Sequence, residues 1–136
     1  MTSFQNAQPR SQQGETILLA EDEDALREAI STYLKVHGYT VLEAADGTEG
    51  LRLARLHAGS IQVLITNVIL PKKSGAELAR EVTTMSPNVV TLYMSGYTDR
   101  KLVDFDATSP SVGYLQKPFA LRTLLKKLGE MIAARG

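Results

Sequence analysis

Five polar residues in the sequence have side chains of the types that bind metal ions and phosphoryl groups: Glu21, Asp22, Asn67, Ser95 and Lys117. Glu21 and Asp22 offer two adjacent carboxylates, and Mg²⁺ commonly takes one or two protein carboxylates together with water and phosphate oxygens. Ser95 and Lys117 offer a hydroxyl and an ammonium group, which can hold the oxygens of an anion. As a set, these residues predict a metal-assisted phosphoryl site.

Each of these residues follows a short apolar run that is typical of a buried strand. TILLA precedes Glu21 and Asp22, IQVLIT precedes Asn67, NVVTLYM precedes Ser95, and SVGYLQ precedes Lys117. A further run, YTVLEA, lies between the first two of these. The sequence therefore predicts five strands, four of which end at a candidate site residue.

Apolar residues at helical spacing follow each predicted strand. The first helix ends at Gly38, Asp46 caps the second, and Ser74 and Glu77 have the spacing of a capping box at the start of the third. We place the fourth helix within TDRKLVDF and the fifth within ALRTLLKKLGEMIAA.

Five alternating strands and helices, with strands that are almost continuously apolar, predict an α/β fold in which helices cover both faces of a parallel sheet. We expect a doubly wound, flavodoxin-like three-layer sandwich with strand order 2-1-3-4-5. Ligands of such sheets bind beyond the carboxyl ends of the strands. The five candidate side chains should therefore lie together at one edge of the sheet.

Length and composition limit the alternatives. The 136 residues are enough for one domain, and 15 basic residues balance 15 acidic ones, which argues against nucleic acid as a partner. The chain has no cysteine and no apolar run as long as a membrane span. We expect a disordered tail or linker over residues 1–14, one domain over 15–136, and a cytoplasmic protein with no membrane contact.

Each candidate residue also has a simpler explanation when taken alone. Glu21 and Asp22 could favour the start of a helix through its dipole, Ser95 could belong to a turn, and Lys117 could be a solvated charge. The Asn67 amide could cap a strand end or a turn. Capping and turn preferences do not, however, explain why all five types follow strands at the same predicted edge.

The segments ILLAEDED, LITNVILPKKSGAEL, YMSGYTD and YLQKPF resemble the receiver domain of bacterial two-component response regulators, including receivers attached to hybrid histidine kinases. The resemblance extends from about Thr16 to Ala134. In that family an aspartate at the end of the third strand accepts a phosphoryl group from a kinase histidine. The resemblance implies that Asn67 occupies this phosphoacceptor position.

The resemblance also implies roles for the neighbouring residues. Glu21 and Asp22 would bind Mg²⁺ together with residue 67 and the backbone carbonyl of Ile69. Ser95 would be the switch hydroxyl, and Lys117 would contact the phosphoryl oxygens.

Two further family features concern Tyr114 and Pro118. Tyr114 would be the aromatic side chain whose rotamer reports the switch, and we expect it to point toward solvent when no phosphoryl group is present. The peptide bond before Pro118 is expected to be cis, which is plausible because an X-Pro bond carries a small cis penalty.

An amide at position 67 matches the shape of a carboxylate but is not an anionic nucleophile, so it cannot form an acyl phosphate. We therefore expect no enzymatic activity, and only weak Mg²⁺ binding, because the site has lost a negative ligand.

Three interpretations remain open. The chain could be a pseudo-receiver, a natural module that acts without phosphorylation. Its asparagine could instead have been introduced to freeze a working phosphorelay receiver. A nucleotide-binding or flavodoxin-like domain is the weakest interpretation, because no glycine-rich phosphate loop follows the first strand.

The expected partners are proteins. The resemblance implies a sensor histidine kinase or a phosphotransfer protein. The face built from the predicted fourth helix, fifth strand and fifth helix, about Thr98–Phe105 and Val112–Ala134, would make these contacts or form a homodimer.

Overall fold

The computed structural model of the protein describes residues 14–96 and 111–135. They form β1 (Thr16–Ala20), α1 (Asp24–Val36), β2 (Thr40–Ala44), α2 (Gly47–Leu56), β3 (Ile61–Asn67), α3 (Gly75–Met85), β4 (Val90–Ser95), β5 (Val112–Gln116) and α4 (Leu121–Arg135). The five strands pair in parallel in the order β2-β1-β3-β4-β5, which confirms the predicted topology.

Two predicted elements cannot be compared with this architecture. The helix placed within residues 98–105 lies outside the described residues, and so does the predicted tail apart from Gly14. The helix predicted as the fifth is therefore α4. Among the described residues, no helix combines the length and apolarity that a membrane crossing requires.

The sheet is buried on both faces because alternate residues of its strands point into two separate cores. Ile17, Leu19 and Ile65 face the core that α1 and α4 cover. Leu18 and Leu64 face the core that α2 and α3 cover. This two-sided burial explains why the runs are almost continuously apolar. The candidate polar side chains lie at the ends of the strands.

The loop after β3 packs closely against the end of that strand. A Cβ atom at Gly75 would lie 1.8 Å from the backbone oxygen of Asn67, so only glycine fits there. Ser74 and Glu77 form the predicted capping box, which begins α3 directly after this loop. The loop is thus held in place beside Asn67 by backbone contacts.

Candidate functional site

The Asn67 side chain lies at the centre of the carboxyl edge of the sheet. Asn67 is the last residue of β3 and is only 5% exposed. Its Nδ2 donates one hydrogen bond to Glu21 Oε2 and one to Asp22 Oδ1, both at 2.9 Å. The amide therefore bridges the two carboxylates that follow β1.

Glu21 is a buried carboxylate with partners for both of its oxygens. It is 1% exposed, and its Oε1 accepts a hydrogen bond from Lys117 Nζ at 2.7 Å. Its Oε2 accepts from the Glu23 backbone N–H at 2.8 Å as well as from the Asn67 amide. A buried charge requires such pairing, since desolvation is costly. Lys117 supplies the compensating charge from beyond β5.

Asp22 and Ile69 lie at the rim of this cluster. Asp22 is exposed, and the Ile69 side chain is 56% exposed on the loop between β3 and α3. Lys72 of the same loop pairs with Asp46 at 3.5 Å. A hydrogen bond from the Glu49 backbone N–H, helped by the nearby Lys72 charge, lowers the pKa of Asp46. The start of α2 therefore anchors the loop that carries Ile69.

The donor set fits Mg²⁺ only after a side-chain change. Among the described residues, no group of three or more His, Cys, Asp or Glu side chains is placed to hold a metal ion. The resemblance implies Glu21, Asp22 and the Ile69 backbone carbonyl as the other ligands, but Asn67 turns its N–H₂ group toward the two carboxylates. Its Oδ1 is buried and has no hydrogen-bond partner among the described residues. Turning the amide over would present Oδ1 as a third oxygen ligand.

Ser95 and Tyr114 form a separate pair at the ends of β4 and β5. The Ser95 and Tyr114 hydroxyls are hydrogen-bonded to each other, and the Tyr114 hydroxyl donates to the Gly96 carbonyl at 3.1 Å. The Tyr114 ring is partly buried against the core covered by α2 and α3. The expectation that Tyr114 points toward solvent is therefore wrong. The inward ring allows the Tyr114 hydroxyl to pair with the Ser95 hydroxyl and the Gly96 carbonyl, which a ring turned toward solvent could not do.

Lys117 and Ser95 are connected through the backbone. The Lys117 N–H donates to the Ser95 carbonyl at 2.8 Å, which fixes the start of the loop after β5 against the end of β4. The Lys117–Pro118 peptide bond is cis, as the resemblance implied. Four of the five predicted side chains thus meet directly, while the Ser95 hydroxyl turns to Tyr114.

Arg27 contributes to the site although its sequence position does not indicate it. Its Nη1 donates to the Glu21 carbonyl at 2.9 Å, and its other nitrogens reach Asp24 at 2.8 Å and Glu43 at 3.5 Å. The spacing of Asp24 and Arg27 predicts an i,i+3 ion pair. This spacing does not indicate that the same guanidinium also donates to the Glu21 backbone carbonyl.

The sequence matches the model of a protein family described as "Response regulator receiver domain" over residues 17–129. Sensor kinase CckA of Brucella abortus is 34% identical over 117 residues, which make up 86% of this chain but only 12% of that protein. The response regulator receiver protein CpdR of the same organism is 30% identical over 118 residues, 87% of this chain and 97% of that protein.

Solved structures with similar sequences have the same fold. The receiver domain from the hybrid histidine kinase CckA superposes with a TM-score of 0.74 at 35% identity, over 86% of this chain and 98% of that domain. A response regulator receiver domain protein from Clostridium thermocellum gives a TM-score of 0.76 at 30% identity, over 89% and 96%. Together with the strand order and the polar side chains at the strand ends, these matches establish that the chain belongs to the response regulator receiver domain family.

Proposed function

We propose that this chain is a receiver module of a two-component system that stores no phosphoryl group at position 67. The observation that carries the proposal is the Asn67 amide at the end of β3, where its nitrogen faces Glu21 and Asp22. An amide has no anionic oxygen with which to attack phosphorus, so the acyl phosphate step has no nucleophile at this position. Such a module passes its signal on by protein contact and catalyses no reaction.

The switch pair supports a module that works without phosphorylation. The Ser95 hydroxyl is already paired with Tyr114, and Tyr114 is already turned inward. A ligand shifts a two-state element only by its differential affinity for the two states. The hydrogen bond between the two hydroxyls gives the inward arrangement a stabilising contact that does not involve a phosphoryl group.

Receiver domains interact with histidine kinases or phosphotransfer proteins. We extend this to a sensor histidine kinase or a phosphotransfer protein as the partner of this chain, in the cytoplasm, with weak Mg²⁺ binding and no contact with nucleic acid or membrane. A homodimer through the face of β5 and α4 is the other association that we propose. Zero formal net charge supports local recognition over long-range electrostatic attraction.

A second candidate is a phosphorelay receiver that a single residue has silenced. The observation in its favour is that Glu21, Asp22 and Lys117 still surround position 67, with Lys117 paired to Glu21. In this case Asn67→Asp alone should restore phosphoryl transfer. In a pseudo-receiver, other residues of the site should also have lost their function in phosphoryl transfer, so that Asn67→Asp alone should not restore it.

The response to a phosphoryl mimic tests the proposed function. Beryllofluoride binds receivers through the acceptor carboxylate, which is missing here. Adding it with Mg²⁺ should therefore leave the backbone amide resonances of Ser95 and Tyr114 almost unchanged in ¹H–¹⁵N spectra. The Asn67→Asp variant, measured in parallel, serves as the control that can bind the mimic. Large shifts at these two residues in the unsubstituted chain would contradict the proposal.

A further inference from the structure

We infer that the Asn67 amide takes the place of a divalent cation between Glu21 and Asp22, and thereby determines how weakly the site holds metal. The inference deepens the proposed function and rests on it, because it concerns the same side chain in the same receiver site. It goes further by assigning the Asn67 amide a bridging contact in the folded site that competes with metal, in addition to the loss of phosphoryl chemistry.

The first support is the geometry of the bridge. Nδ2 lies 2.9 Å from Glu21 Oε2 and 2.9 Å from Asp22 Oδ1, so each of its two hydrogens is directed to a different carboxylate. Hydrogen bonds to ionised acceptors are stronger than those between neutral groups. The amide therefore joins two neighbouring negative charges that would otherwise repel each other.

The second support is the charge balance around Glu21. Lys117 Nζ donates a hydrogen bond to Glu21 Oε1, while the Glu23 N–H and the Asn67 amide donate to Glu21 Oε2. The buried carboxylate is therefore satisfied by groups of the chain itself. A cation entering between Glu21 and Asp22 would have to displace the amide first.

The third support is the unpaired atom on the other side of the amide. Asn67 Oδ1 is buried without a hydrogen-bond partner among the described residues, and leaving a buried acceptor unpaired is unfavourable. The orientation with Nδ2 toward the carboxylates is nevertheless adopted. A bound cation would require the opposite orientation, with Oδ1 toward the metal, so cation binding and amide bridging exclude each other.

The Asn67→Ala variant separates this role from a merely structural one. It removes both donors and adds no charge, which leaves Glu21 and Asp22 unbridged. Mg²⁺ should then bind at least tenfold more tightly than to the unsubstituted chain. Because a ligand that binds only the folded state stabilises it by mass action, the urea midpoint of the variant should rise with MgCl₂ while that of the unsubstituted chain stays nearly constant.

Two controls complete the measurement at matched ionic strength. Asn88→Ala changes an exposed asparagine on a distant loop and should respond to MgCl₂ as the unsubstituted chain does. Asn67→Ala combined with Asp22→Asn removes one of the two carboxylates and should lose the Mg²⁺ response. Parallel responses of Asn67→Ala and the unsubstituted chain, or no response of Asn67→Ala, would overturn the inference.

A measurement on the unsubstituted chain remains decisive if Asn67→Ala does not fold. In metal-free buffer the side-chain N–H₂ protons of Asn67 should exchange with solvent at least tenfold more slowly than those of exposed Asn88, because both are hydrogen-bonded. Equal exchange rates would overturn the inference. Phosphorylation of the unsubstituted chain would refute the proposed function without altering these exchange rates, so the two failures are distinguishable.

Discussion

Lys117→Met is expected to lower the free energy of unfolding by about 3 kcal/mol, because removing one partner of a buried ion pair leaves the other charge uncompensated. Glu21 is 1% exposed, and Lys117 Nζ contacts its Oε1 at 2.7 Å. The Lys117 side chain is 27% exposed, so solvent screens part of the interaction and the expected loss lies at the lower end of the range for buried pairs. Urea unfolding monitored by circular dichroism measures the effect.

Two further variants show whether the loss comes from the stranded carboxylate. Lys126→Met removes a lysine of an exposed pair, in which Nζ lies 3.9 Å from Glu130 and the two side chains are 75% and 60% exposed. This change should cost about 0.5 kcal/mol or less. Adding Glu21→Gln to Lys117→Met removes the stranded charge and should recover part of the lost stability. If Lys117→Met costs no more than Lys126→Met, the pair does not compensate a buried charge.

Asn67→Asp is expected to make the metal-free protein less stable by a few kcal/mol. It replaces an amide that bridges Glu21 and Asp22 with a third carboxylate. Like charges about 4 Å apart repel by about 4 kcal/mol at an effective dielectric constant of about 20, before solvent and counterions reduce the effect. The variant also loses the two donors of the Asn67 amide.

Mg²⁺ should reduce the difference in stability between the unsubstituted chain and the Asn67→Asp variant, or reverse its sign. A cation that binds only the folded variant stabilises it by about 2.7 kcal/mol at a concentration 100 times its dissociation constant. Urea midpoints of both proteins, measured first with EDTA and then with MgCl₂ at matched ionic strength, give the comparison. Equal stability of the two proteins in EDTA would contradict this prediction, because it would mean that Glu21 and Asp22 do not repel a third carboxylate.

The strands and the parallel α/β class of the sheet could be predicted because they depend on local patterns along the chain. Runs such as TILLA and IQVLIT are almost continuously apolar, which is typical of strands buried on both faces. The capping box of Ser74 and Glu77 is likewise confirmed, since it depends on residues three apart.

The side-chain arrangement of the site could be predicted only in part. Residue types and strand ends indicated that Glu21, Asp22, Asn67 and Lys117 would be neighbours. The orientation of the Asn67 amide depends on carboxylates that are 45 and 46 positions away in the sequence, and a residue type does not specify it. The inward Tyr114 depends in the same way on the hydroxyl of Ser95, 19 residues away, so its position could not be deduced from spacing.

Intact mass after incubation with acetyl phosphate and Mg²⁺ tests most directly whether Asn67 blocks the receiver chemistry. The unsubstituted chain should keep its mass, and the Asn67→Asp variant, treated side by side, should gain one phosphoryl group that is labile in base, as an acyl phosphate is. If neither protein is labelled, the chemistry has been lost at more than one position, which favours the pseudo-receiver over the silenced phosphorelay receiver. A phosphoryl group gained by the unsubstituted chain at the strand-end site would contradict the blocked acceptor at Asn67.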